Sequence, residues 1–246
     1  MKPFFTIVAF LLLGCTPMAA QNIEITSQDN KPPVITYKSR ISMFPDLEKY
    51  LGDVIKEFDQ IPADRKKVLK DIGTFISKKR EAGETAHLVF ICTHNSRRSH
   101  MSQIWASATA GFYGKGSSIK TYSGGTEATA FNPRAVAAME RAGFHVVDPG
   151  GNNPRYEVSF TDKAEPLICF SKKYSDPYND ADDFAAIMVC SDADKNCPVV
   201  FGAEARFAVP YIDPKVSDGT DLESVTYDER CRQIAREMAY LMSQVK

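Results

Sequence analysis

A short apolar run, Leu88-Val89-Phe90-Ile91, passes straight into Cys92-Thr93-His94-Asn95-Ser96-Arg97-Arg98-Ser99 and then into a helical stretch over about residues 100–111. Four consecutive apolar residues suit a strand buried on both faces, and a polar loop between such a strand and a helix aims backbone N–H groups at an anion. This segment restricts the chain to folds in which a parallel sheet carries a loop at its carboxyl edge. The remaining pattern agrees. Leu47, Tyr50, Leu51, Val54, Ile55 and Phe58 recur at helical spacing after Pro45, and Val68, Leu69, Ile72, Phe75 and Ile76 do so after Pro62. Gly83 reads as the stop of the second helix. Residues 119–123 and 186–189 read as core strands, 158–160 and 167–170 as added strands, and 132–141 and 227–242 as helices. Strands alternating with helices argue an α/β fold around a mainly parallel sheet.

The loop has a chemistry of its own. A cysteine at a strand end, facing a helix N-terminus and an arginine, has its thiolate stabilised, and the thiolate is the nucleophilic form. Arg98 offers a planar fork of donors to two oxygens of a tetrahedral oxyanion, and the loop N–H groups take the others. Ser99 can donate a hydrogen bond to the thiolate, and Asn95 tolerates a left-handed turn better than most residues. The competing view makes Cys92 a small buried hydrophobe. Cysteine, arginine and serine at this spacing in one loop favour the nucleophile. Thr93, His94, Asn95, Ser96, Arg97, Arg98 and Ser99 are therefore the candidate oxyanion-binding set. No histidine lies near Cys190 and Cys197 to complete a zinc set, and no metal or tightly bound cofactor is expected.

The stretch from Cys92 to Ser99 resembles the phosphate loop of the low-molecular-weight protein tyrosine phosphatases and of the thioredoxin-coupled arsenate reductases that share their fold. Asn132-Pro133-Arg134-Ala135-Val136 is also similar to that superfamily. The resemblance covers roughly residues 86–246 and implies a four-stranded parallel sheet flanked by helices, here with an N-terminal helical extension over 41–85 and a small added strand pair. Val189-Cys190-Ser191-Asp192-Ala193-Asp194-Lys195-Asn196-Cys197-Pro198 resembles the redox segment of the arsenate reductases. The resemblance implies that Cys92 attacks arsenate, Cys190 attacks Cys92 to expel arsenite, and Cys197 takes over the disulfide for an external thioredoxin-like reductant. A static Cys190–Cys197 disulfide is the alternative. Tyr211-Ile212-Asp213-Pro214 resembles the general-acid loop of the superfamily, with Asp213 as the acid; an isolated Asp-Pro pair would be a turn.

Two residues depart from the family pattern. His94 stands where these loops usually carry glycine and Arg97 where they often carry a second cysteine, so a bulkier and more cationic cradle is expected. Cys169 and Cys231 read as core residues, and Tyr174, Pro177 and Tyr178 as a surface turn or the lip of a substrate mouth. Three functions remain in play: arsenate reduction, hydrolysis of phosphotyrosine or small phosphate esters with Cys190 and Cys197 guarding Cys92, and oxyanion binding without turnover.

The chain's first twenty residues differ from the rest. Lys2 precedes an apolar run from Phe4 to Leu13, about ten residues, too short to span a bilayer. Leu12-Leu13-Gly14-Cys15 resembles the lipobox of bacterial lipoproteins, with cleavage after Ala20 as the alternative. An exported, periplasmic or lipid-anchored protein is expected, with residues 21–40 as a tether. Loss of Lys2 leaves a net charge of about −2, which carries no nucleic-acid or membrane-surface footprint. Cys92, Cys169, Cys190, Cys197 and Cys231 then remain, an odd number in an exported chain. If Cys15 is the lipid carrier, Cys15→Ser moves the protein from the membrane fraction to the soluble one on detergent-free fractionation. Unchanged partitioning rules out the anchor.

Overall fold

The computed structural model describes residues 23–26, 34–37, 41–179, 182–197 and 199–246; the expected signal segment and Cys15 lie outside them. Strands β1 (Ile23–Thr26) and β2 (Val34–Tyr37) pair antiparallel. Residues 40–246 form a separate compact unit.

That unit is built on β3 (Ala86–Cys92), β4 (Ile119–Gly125), β8 (Phe184–Met188) and β9 (Ala203–Ala208), which lie in the order β4-β3-β8-β9 and are all parallel. β3 and β8 are central, and Leu88, Val89, Phe90, Ile91, Ala185, Ala186, Ile187 and Met188 are wholly buried. This is the cause of their unbroken apolar sequence: helices cover both faces. β9 is the edge, and its alternating Ala203-Glu204-Ala205-Arg206-Phe207-Ala208 leaves every second residue exposed. The added strands β6 (Tyr156–Ser159) and β7 (Leu167–Cys169) pair antiparallel as expected, and β5 (His145–Val147) joins them as a third.

Helices α1 (Pro45–Ile55) and α2 (Ala63–Glu81) start on Pro45 in the first turn and on Pro62 as the preceding residue, and α2 ends at Gly83 with φ 75°. Their apolar stripes enter the main core: Leu47, Leu51, Val54, Leu69, Ile72 and Ile76 are fully buried. Helix α3 (Arg98–Phe112) is buried on nearly every side, and α4 (Pro133–Arg141) is capped by the Asn132 side chain, which accepts from the Arg134 N–H. Helix α6 (Glu223–Gln244) lies against α1, α2, α3 and α4. Gly143, at φ 101°, closes α4 against α1: a Cβ there would come within 2.5 Å of the Leu47 nitrogen.

Leu51→Ala tests whether α1 belongs to the core. Removal of a fully buried leucine is expected to cost about 2–5 kcal/mol, read from the denaturant midpoint of the cooperative transition. A loss under about 1 kcal/mol would mean that α1 packs on the unit without stabilising it.

Candidate active site

β3 delivers Cys92 to the carboxyl edge of the sheet, and α3 begins six residues later at Arg98, so the loop between them closes over the helix N-terminus. Gly125 of β4 makes room for it, and Gly124 for the Tyr174 segment beside it. A Cβ on Gly125 would come 2.2 Å from the Glu127 carbonyl, 2.6 Å from the Thr93 carbonyl and 2.8 Å from the Asn95 nitrogen, and one on Gly124 would meet the Tyr174 backbone at 2.2 Å. The loop backbone is tied in by Glu127 N–H to the Thr93 carbonyl at 2.8 Å and Asn132 N–H to the Ser96 carbonyl at 2.8 Å.

Asn95 sits at φ 44° and is fully buried. Its Oδ1 accepts from the Lys172 backbone N–H at 2.9 Å, which leaves Nδ2 to donate to Ser99 Oγ at 2.9 Å. Ser99 Oγ lies 3.1 Å from Cys92 Sγ. While its oxygen accepts from Asn95, the serine's own hydrogen is free to be donated to the sulfur when the sulfur is a thiolate. Lys172, nearly fully buried, is held down to about 8 by burial, and the buried His100 behind the loop is held down to about 3 by burial and by the Lys172 charge.

Arg98 donates to the Tyr211 carbonyl at 3.0 Å and to Asp213 Oδ2 at 2.7 Å. Arg97 grips the same carboxylate from Nε at 2.7 Å and from its terminal nitrogen at 3.2 Å. Asp213 also accepts from the Lys215 N–H at 3.1 Å, capping a short turn over Pro214–Ser217. Burial works to raise the Asp213 carboxyl, but the hydrogen bond from Arg97 and the charges of Arg98 and Arg97 outweigh it and hold the group below the usual carboxylate range. Its contribution to stability is complete above the unfolded value of about 3.9 and is lost as pH falls through the lower folded value. Cys92, His94, Ser96, Arg97, Arg98 and Asp213 enclose a cavity of about 10 Å³, the room of one water.

His94 lines the cavity but is half exposed and turned toward Glu127, with 3.5 Å between Nε2 and the carboxylate. Not every expected residue joins the cavity. Thr93 faces the neighbouring strand, its Oγ1 3.5 Å from Cys190 Sγ. Cys190 is buried just past β8, where Val189 N–H bonds the Ile91 carbonyl, so it stands beside the nucleophile's strand. Cys190 Sγ accepts from the Ala193 N–H and caps α5 (Ser191–Asn196), and Cys197 follows the helix, partly exposed. All five described cysteines are free thiols. A Cys190–Cys197 bond is not formed, because a six-residue helix separates the two by roughly 10 Å along its axis and a disulfide needs Cα atoms within about 7 Å. Burial pushes the thiols of Cys169 and Cys231 up to about 12, so both stay neutral. Tyr174 and Pro177 line a different groove, with Phe184 and Phe201.

Three contributors escape sequence reading. Arg65 of α2 donates to the Pro210 carbonyl at 2.5 Å, lies 5.3 Å from the Tyr211 ring centroid and sits 3.6 Å from Glu237. The buried Glu237 of α6 accepts from the Tyr211 hydroxyl at 2.8 Å. Lys172 fixes Asn95 through its backbone, which side-chain type does not advertise.

No protein-family profile matches the chain. Among curated proteins it is 30% identical over 149 residues to an arsenate reductase of Bacillus subtilis strain 168, spanning 61% of this chain and 88% of that one. It is 30% identical over 145 residues to an arsenate reductase of Bacillus licheniformis, spanning 59% and 86%. Among solved structures, a thioredoxin-dependent arsenate reductase of Corynebacterium glutamicum aligns over 76% of this chain and 92% of its own, at 16% identity and a TM-score of 0.36. A low-molecular-weight phosphotyrosine phosphatase of Vibrio cholerae aligns over 64% and 95%, at 14% identity and 0.46.

Asn95→Ala removes the link that orients Ser99. Site-resolved alkylation of Cys92 at neutral pH should slow by roughly tenfold, with a stability loss of about 1–3 kcal/mol from the exposed loop bonds. An alkylation rate equal to wild type would show that Ser99 does not act on the sulfur.

Proposed function

Because the chain belongs to the arsenate reductase family, we propose that it reduces arsenate to arsenite through Cys92, Cys190 and Cys197. The observation that carries this reading is the placement of Cys190 Sγ 3.5 Å from Thr93 Oγ1, beside the nucleophile, with Cys197 at the far end of α5.

The Cys92 thiolate attacks arsenic held by Arg98 and the loop N–H groups. One oxygen leaves as water, carrying the arsenate's own hydroxyl proton and a second proton from solvent, and a Cys92–arsenic(V) adduct remains; Asp213 is the carboxyl lining the cavity where that second proton arrives. The Cys190 thiolate then attacks the Cys92 sulfur. The sulfur–arsenic bond breaks, its electron pair reduces arsenic to the trivalent state, and a Cys92–Cys190 disulfide forms. Cys197 attacks Cys190 and releases Cys92 as thiolate. For that step α5 must unwind, since its ends are too far apart to be bridged while it is helical. A helix this short is marginal in isolation and lets go at little cost. The Cys190–Cys197 disulfide, next to the partly exposed end of the segment, is opened by an external dithiol of thioredoxin type.

A second reading keeps the same cavity and makes the chain a phosphatase of the low-molecular-weight type, acting on phosphotyrosine or small esters. The convergence of Cys92, Arg98 and Asp213 favours it; the ionised state of Asp213 disfavours it, because an ester oxygen needs a donated proton to leave. The apolar run Phe4 to Leu13 and Cys15 support export, in which case the electron donor acts outside the cytoplasm.

Single-turnover assays on the reduced protein separate the readings. Cys92→Ser should abolish arsenite release, Cys190→Ser should halt at the arsenic adduct, and Cys197→Ser should release one arsenite and stop as a Cys92–Cys190 disulfide. Aryl phosphate hydrolysis at a rate above arsenate turnover, unaffected by Cys190→Ser, would make the chain a phosphatase instead.

A further inference from the structure

The cradle is already occupied by an anion of the chain's own. Arg98, whose fork is suited to an oxyanion, spends one terminal nitrogen on Asp213 Oδ2 at 2.7 Å, and the remaining cavity of about 10 Å³ is too small for a tetrahedral oxyanion. Arg98 Nε is buried without a partner, so a substrate that engages the fork through Nε and that terminal nitrogen competes with the carboxylate for the second of them. Arg97 decides where the carboxylate then goes, because it holds both Asp213 oxygens independently of Arg98.

We propose that Arg97 is a positioning and specificity residue: it retains Asp213 as a carboxylate at the cradle's mouth while Arg98 transfers to the substrate, so the site selects doubly charged inorganic oxyanions and disfavours esters. The inference rests on the reading of the site as an arsenate reductase's. A dianion outcompetes a single carboxylate for Arg98, whereas an ester also needs Asp213 to arrive protonated, which two guanidiniums oppose. The other charged and titratable groups around this pair are few. The Pro214–Ser217 turn supplies the Lys215 N–H. From α6, Tyr227 faces both Arg97 and Asp213, and its hydroxyl donates to Asp218 at 2.9 Å. Asp218 faces Arg97 and lies 3.9 Å from Arg134. Cys92 and His94 share the cavity. Neither Asp218 nor Tyr227 replaces the two-point grip of Arg97 on Asp213.

The test is the affinity of inorganic phosphate for the reduced full chain, by calorimetry across about pH 2.5 to 8, for wild type, Arg97→Gln, Arg97→Lys and Asp213→Asn. The Asp213→Asn profile contains the anion's own titration and is subtracted. In wild type the remaining step, where protonation of Asp213 frees Arg98, should lie below the usual carboxylate range. Arg97→Gln should move it up by about one unit or more, and Arg97→Lys by less. Asp213→Asn should tighten phosphate at neutral pH by roughly tenfold. An unmoved step in Arg97→Gln, or unchanged affinity in Asp213→Asn, overturns the proposal. Should Arg97→Gln fail to fold, the step in Arg97→Lys against wild type decides in the same way. Binding requires no turnover, so a chain that bound phosphate as described and reduced no arsenate would overturn the functional reading and leave this one standing.

Discussion

Parallel pairing of three strands is the constraint on which the site depends. β3 lies between β4 and β8 with Cys92 opposite Gly125 and Ile91 opposite Met188. Strands that run the same way end at the same edge, so one register brings the nucleophile, the glycine that admits its loop and the second thiol to a single rim. A slip of one residue would turn Cys92 to the other face of the sheet and bring Gly124 or Thr126 opposite it in place of Gly125. The chemistry is thus fixed by backbone hydrogen bonds before any side chain is considered.

Around that rim the charges form a closed ring. Two arginines share one carboxylate, and the carboxylate's loop is held from behind by Arg65 and Glu237 through Tyr211. The second N-terminal helix thereby acquires a role: α2 supplies a guanidinium that fixes the loop bearing Asp213 at Pro210. A buried carboxylate such as Glu237 is tolerated because both oxygens have donors, one from Tyr211 and one from Gln233.

What could be read from the sequence follows the strength of local pattern. The helical stripes of α1 and α2, the apolar run of β3 and the turn into α3 were legible because each buries a face of fixed period. β9 passes unread because Ala203-Glu204-Ala205-Arg206-Phe207-Ala208 alternates small and charged residues, which an edge strand permits and a loop would also show. α5 and β5 are too short to show a period. At the site, Cys92 and Arg98 are legible from the chemistry of their loop, Cys190, Cys197 and Asp213 through motif resemblance, and Arg97 reads as one more oxyanion ligand. Its actual partner is 116 residues away, a pairing no local signal encodes. Lys172 lies in Ser171-Lys172-Lys173, which reads as solvated, yet it is buried with its ammonium 4.7 Å from the Phe170 ring centroid.

Helix α6 follows every other described element in the chain, and it carries Glu237, on which the Tyr211 end of the acid loop rests. While the chain is being made, β3, its loop and α3 are complete more than a hundred residues before that helix exists. A nascent or threading chain therefore carries its reactive thiol in an unfinished cradle, with Arg65 and Tyr211 lacking their common partner. Translation order sets a delay between making the nucleophile and arming it, and a protein that crosses a membrane unfolded would be armed only on the far side.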